Sequence, residues 1–189
     1  MSVKYGAVAP ESIRIHESVE VKPFTVIGFM GFWFETNKDG NYKIPLKRKK
    51  HKFGVIIKEN VEIGACCCID KGSWRDSIIE KGTKIDNLVH TGHNTHIGKN
   101  CLLTTGVKLG GSCTIGDEVF IGMNAVVKQG CKIANKVIIG MGAVVTKDIT
   151  EPGTTWVGNP ARKLKWNSVI TVVCYILNHK HSVLYVNRN

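Results

Sequence analysis

The 189-residue sequence has no apolar run long enough to cross a membrane. Its longest, Val169 to Leu177, already contains Thr171 and falls far short of the roughly 20 residues a spanning helix needs. The opening MSVKYGAVAPES carries no apolar core of signal-peptide length, so the expectation is a soluble, cytoplasmic protein with no membrane contact. Cysteine is present but suits neither common use. Seven is an odd number for a disulfide framework, and Cys66, Cys67, Cys68, Cys101, Cys113, Cys131 and Cys174 include no CxxC pair, which points to free thiols. Aromatic residues make up only 7%, and RNP, helix-turn-helix and zinc-finger patterns are missing. Nucleic acid is therefore not expected as the partner, despite a net charge of +11.

What is present suits one buried domain: 43% hydrophobic and 22% charged residues, with a mean hydropathy of −0.03. The basic residues are grouped, with one run at Lys47, Arg48, Lys49, Lys50 and Lys52 and another at Arg162, Lys163 and Lys165. A phosphate-bearing small ligand can use such charge as well as a nucleic acid can.

The dominant signal is a period of six. From Ile79 every sixth residue to Val145 is aliphatic except Thr91, and the residue four places after each is small or medium, from Thr83 to Ile149. Six matches neither the 3.6 of a helix nor the alternation of a flat strand, and it demands a turn within every hexad. The pattern resembles the hexapeptide-repeat, left-handed parallel β-helix, an all-β fold in which three hexads make one triangular coil of eighteen residues; the handedness comes from the resemblance. Ile79 to Thr150 then makes four uninterrupted coils, and the register continues upstream through Ala9, Ile15, Val21 and Ile27 and through Ile57, Ile63 and Ile69. Cys67, Cys101, Cys113 and Cys131 take inward positions, where a small apolar side chain is wanted.

Two breaks interrupt the repeat. One spans about Phe29 to Val55, contains the turn dipeptide Asp39-Gly40, and should project as a loop; the other, around Ser73 to Ser77, shifts the frame by four residues. The repeat ends after Pro152. The expected division is a β-helix domain over residues 1–165 and an extension over 166–189, the latter a hairpin of Val169 to Val186 around Asn178-His179-Lys180.

Histidine is concentrated in Asn87-Leu88-Val89-His90-Thr91-Gly92-His93-Asn94-Thr95-His96. Together with Ile69-Asp70-Lys71-Gly72, Ile85-Asp86-Asn87 and the upstream Gly31-Phe32 and Tyr42-Lys43-Ile44-Pro45, this region resembles the UDP-3-O-acylglucosamine N-acyltransferase family. The resemblance implies that His93 is a general base and that Asn87 and Asn94 serve the substrate. Gly122 to Ile149 and Thr154 to Lys165 resemble acetyl-CoA-dependent amino-sugar N-acetyltransferases instead. The stretch before Ala9 is too short for the first family's uridine-binding domain, and Gln129-Gly130-Cys131 lacks its second histidine. The expectation is acetyl transfer from acetyl-CoA to the amine of a nucleotide-linked amino sugar, with acyl carrier protein as the alternative donor.

The chemistry fits. A thioester is already activated, so a base for the attacking amine and a donor for the oxyanion suffice. Gly111, eighteen residues after His93, would offer its backbone N–H as that donor. The CoA would run along the coils past the backbone of Met123 and Met141 to Thr146, Lys147, Arg162 and Lys163. The resemblance implies a homotrimer with sites between subunits, and no metal. Two rival classes are a γ-type carbonic anhydrase using His90, His93 and His96, and a nonenzymatic basic scaffold.

Overall fold

Each hexad of the chain builds one strand and one corner of a prism. In the computed structural model, which describes residues 12–164, the lead residues from Ile79 to Val145 and the fifth-position residues from Thr83 to Ile149 are all buried. The strands form three parallel sheets, so the fold is the expected left-handed parallel β-helix, here of six coils. Coil stacks on coil in register: His96 pairs with Thr114 and Thr114 with Lys132 on the first face, Leu102 with Phe120 on the second, and Lys108 with Val126 on the third. Burying an aliphatic side chain contributes about 1.5–3 kcal/mol, and the prism interior is a continuous column of them.

The corners explain why the period is six. Gly82, Leu88, Asn94, Asn100, Gly106, Ser112, Glu118, Asn124, Gly130, Lys136 and Gly142, every sixth residue, all have positive φ. That left-handed step bends each strand into the next, and glycine and asparagine tolerate it best. Polar atoms inside the prism are satisfied at Thr83 and Cys101, while Ser77 Oγ is buried without a partner among the described residues. Thr83 Oγ1 donates to Gly98 O at 2.7 Å and accepts from Cys101 N at 3.0 Å, and the Cys101 thiol donates to Gly116 O at 3.0 Å. Burial pushes the thiols up, Cys101 to about 11 and Cys113 to about 12, as suits packing residues.

Both frame breaks lie in the first coils. Ile27 pairs with Ile69 across the longer one, and Ile69 with Thr91 across the shorter one. Residues 31–54 leave the prism as an antiparallel excursion, bridged at Phe34 to Arg48 and at Thr36 to Tyr42. It turns at Asp39-Gly40, where Gly40 has φ +83°. The second break braces the first: Gly72 N donates to Gly54 O at 3.0 Å and Gly54 N donates to Asp76 Oδ1 at 2.7 Å. After the last full coil Thr155–Val157 pairs parallel with Ile138–Ile139 and antiparallel with Arg162–Lys163. The boundary expected after residue 165 and the hairpin expected over Val169 to Val186 lie outside the described residues. Among the described residues no helix is long and apolar enough to cross a membrane.

Candidate functional site

The corner between the third and first faces carries His93, Gly111, Gln129 and Lys147 in one column, each one coil below the last. Ser112 N donates to His93 O and Gly130 N to Gly111 O along it. Coils stack at about 4.8 Å, which puts Lys147 roughly 14 Å down the axis from His93.

His93 is 9% exposed and wedged on three sides. Its ring stacks on Trp33 at 5.3 Å with planes 9° apart, and His51 meets it edge-on at 5.5 Å. Gly111 lies against the opposite edge: a Cβ there would stand 2.7 Å from Nε2. The Gly111 N–H makes no hydrogen bond among the described residues. Burial holds the His93 pKa below the ordinary histidine value, and neighbouring His51 pushes the same way, so the ring is neutral near pH 7.

Asn94, expected to serve the substrate, does something else. It is fully buried at a corner with φ 58°, and every polar atom of its side chain is engaged. Oδ1 accepts from Ser73 N at 2.7 Å and Trp74 N at 3.2 Å, and Nδ2 meets Ser73 Oγ at 2.9 Å and His93 Nδ1 at 2.6 Å. Arg75 clamps the Asn94 carbonyl with Nε at 3.1 Å and a second nitrogen at 2.9 Å. The shorter frame break thus exists around Asn94, and Asn94 holds His93. Because the backbone N–H groups claim Oδ1, the amide presents Nδ2 to His93; Nδ1 is then the accepting nitrogen, and the resting ring carries its proton on Nε2.

Three further groups complete the pocket, none of them assigned a role by sequence reasoning. Trp33 supplies the stacking plane, with Lys49 Nζ 4.0 Å over its ring. His51, 5% exposed, donates Nδ1–H to Lys49 O at 3.1 Å; burial chiefly holds its pKa down, with Lys71 and Arg48 adding to the effect. Asp70 packs beside Gly31, where a Cβ would stand 2.6 Å from Asp70 Oδ2 and 3.3 Å from His93 Cδ2. Burial raises the Asp70 carboxyl to about 6. Trp33 and His51 come from the inserted loop, so the only sequence signal for them was the loop itself.

The other expected residues divide between corners. Asn87, Met123 and Met141 share a column on the neighbouring corner, between the second and third faces. There Gly106 N donates to Asn87 O and Gly142 N to Met123 O. The Asn87 side chain accepts from Ala65 N at 2.7 Å. One strand, His90–Thr91, separates this corner from His93, so a single chain does not bring the two sets together. Thr146 and Lys147 are exposed below Gly111. Arg162 and Lys163 are exposed on the last strand, where Lys163 Nζ pairs with Glu151 Oε1 at 2.5 Å. His90, His93 and His96 occupy the third face, the corner and the first face, and among the described residues no three His, Cys, Asp or Glu side chains gather as for a metal ion.

Comparison with known proteins agrees with this architecture. Residues 112–147 match the model described as bacterial transferase hexapeptide (six repeats), and residues 89–116 match the hexapeptide repeat of succinyl-transferase. The chain is 44% identical over 146 residues to the probable mitochondrial UDP-3-O-acylglucosamine N-acyltransferase 2 of Arabidopsis thaliana, covering 77% of this chain and 47% of that protein. It is 37% identical over 147 residues to the UDP-3-O-acylglucosamine N-acyltransferase of Methylorubrum extorquens PA1, covering 78% of this chain and 40% of the relative. The chain therefore spans about half the length, or less, of these curated relatives. Among solved structures, the UDP-N-acetylglucosamine O-acyltransferase of Moraxella catarrhalis superposes with a TM-score of 0.69 at 22% identity, over 82% of this chain and 56% of that one, a likeness of fold.

Proposed function

The chain belongs to the hexapeptide-repeat transferase family, and from that premise we propose that it is an acyltransferase moving an acyl group from a thioester to the amine of a nucleotide-linked amino sugar. The observation that carries the reading is the His93–Gly111 pair: a buried neutral imidazole whose Nε2 faces a glycine with an uncommitted N–H. Sequence relatives that carry the name UDP-3-O-acylglucosamine N-acyltransferase support the substrate class.

In this reading the amine attacks the thioester carbonyl beside Gly111. His93 takes the amine's proton at Nε2, and the Gly111 N–H receives the developing oxyanion. Asn94 governs the first step. Proton uptake at Nε2 needs the tautomer protonated on Nδ1, so the Asn94 amide must turn an oxygen toward Nδ1–H at the expense of its bonds to Ser73 N and Trp74 N. The Trp33 stack keeps the ring in plane while this happens.

The donor is read as acetyl-CoA, its phosphates directed down the column toward Thr146 and Lys147. Arg162 is a further cation for it, while the Glu151 pairing makes Lys163 the weaker one. A long acyl chain on carrier protein is the second reading, favoured by the names of the sequence relatives. The split of Asn87, Met123 and Met141 from His93 supports a homotrimer, in which the corner of one copy faces the neighbouring corner of the next and completes the site. The compartment proposed is the cytoplasm. The test is His93→Ala, assayed by thiol release from acetyl-CoA or an acyl carrier protein thioester with UDP-glucosamine as acceptor. A loss of about 10² to 10⁴ in rate with an unchanged circular-dichroism spectrum is expected; near-normal turnover removes His93 from the chemistry.

A further inference from the structure

Two hydrogen-bond acceptors beside His93 have no donor among the described residues. His51 gives its Nδ1–H to Lys49 O, so Nε2 is the nitrogen with the lone pair, and that atom is buried without any partner. Asp70 makes no hydrogen bond among the described residues; His90 Nε2 is 3.9 Å from Oδ2, beyond hydrogen-bond reach. An unpaired buried acceptor costs folding stability, so the His51 Nε2 calls for a reason; the Asp70 carboxylate, whose side chain keeps 14% of its surface exposed, lies open to an incoming donor. Three of the local donors are committed elsewhere, Arg48 to Gly31 O, Arg75 to Asn94 O, and the Lys49 ammonium to the Trp33 face, and Lys71, whose charge is felt at His51, makes no hydrogen bond to either acceptor among the described residues.

Both acceptors border the same ring. His51 meets His93 edge-on at 5.5 Å, and Asp70 Oδ2 and His93 Cδ2 both crowd the point where a Gly31 Cβ would stand. A substrate group placed at His93 therefore meets a carboxylate and an imidazole lone pair, neither yet used. A hydroxyl has one proton to offer; a protonated amine has three and a positive charge that offsets the buried carboxylate. From this arrangement the structure assigns Asp70 and His51 a shared role: they receive the N–H groups of the incoming ammonium and so make the site prefer an amino sugar over its hydroxyl counterpart. This rests on the reading that the acceptor is a nucleotide-linked sugar bound at His93.

Binding measurements test it apart from catalysis. By calorimetry the wild-type protein should hold UDP-glucosamine at least about 10-fold tighter than UDP-glucose, the margin of a charge-assisted contact. Asp70→Asn and His51→Phe, the latter keeping a ring without its lone pair, should each reduce that preference by about 10-fold, and His51→Gln should restore part of it. A second readout needs no variant: in protein carrying 15N-histidine, the His51 Nε2 resonance should sit at the unprotonated position and move on adding UDP-glucosamine but not UDP-glucose. Equal wild-type affinity for the two sugars, an unmoved Nε2 resonance, or folded variants that keep the full preference would each overturn the assignment. Amine-selective binding with no acyl transfer from any thioester leaves the acceptor pair standing and sinks the acyltransferase reading; transfer by variants with unchanged preference does the reverse.

Discussion

Replacing Gly111 with alanine adds a single methyl group at a crowded point of the site. The new Cβ would stand 2.7 Å from His93 Nε2, 2.8 Å from Cε1 and 3.1 Å from Cδ2, against the 3.4 Å at which ordinary contact begins. The ring must retreat by about 0.7 Å, yet Trp33 covers one face and the Asn94 amide holds Nδ1 at 2.6 Å. Displacing a reacting group by about 1 Å can cost on the order of 10² in rate, and an overpacked site loses about 1–3 kcal/mol of stability. Gly111 is outside the left-handed region, so no backbone strain confuses the result. Gly153→Ala is the matched control: its Cβ would meet nothing within 4 Å, but φ is +67°, so it should cost about 1 kcal/mol in a thermal melt and leave turnover intact. Thiol-release kinetics on both proteins decide the matter. A Gly111→Ala enzyme with wild-type kcat would refute the claim that His93 is fixed against this glycine for the reaction.

Asn94→Asp gives His93 a second oxygen while keeping one for Ser73 N and Trp74 N. It should preserve or raise kcat, and the added negative charge should raise the His93 pKa. A His93 acting as the proposed base works only when neutral, so activity should fall as pH drops through that pKa. The wild-type acid limb should lie below 6.5 and the variant's should lie higher, read from kcat against pH; a dead Asn94→Asp enzyme would turn His93 from base into donor. Lys147→Ala should raise KM for acetyl-CoA several-fold with little change in kcat, and Arg162→Ala with Lys163→Ala should do less because Lys163 is paired with Glu151. Light scattering should report three copies per particle, and a fully active monomer would defeat the shared site. Ile121→Ala, at a wholly buried lead position, should cost about 2–5 kcal/mol in denaturant unfolding without touching the site.

The prism was legible because its rule is repeated: one aliphatic residue in six, one small residue four places on, and a kink between them. The breaks were legible too, as places where that rule fails. Their contents were not. Trp33, His51, Ser73, Trp74 and Arg75 act once each, from segments with no period, so nothing in the sequence says which of them turns toward His93. Adjacency did not show that the left-handed step at φ 58° directs Asn94 into the protein while His93 lies against Trp33 and Gly111. Spacing did not show where Asn87 sits: six residues before His93 is one full corner away within a single chain, a separation that reading a motif along the chain does not register.

The brace that ties Gly72 to Gly54 and Arg75 to Asn94 has a consequence for anyone seeking a sturdier version of this protein. Consensus engineering would identify the four extra residues near Ser73 and the long excursion near Trp33 as blemishes in an otherwise regular array and delete them. The result would be a better solenoid, with every rung alike and its melting point raised. It would also lose Asn94's restraints and His93's stacking partner at one stroke, leaving a blank scaffold. Under the proposed function regularity supplies rigidity and the irregularities supply chemistry, so thermostabilising substitutions belong in the lower coils, below Gly111.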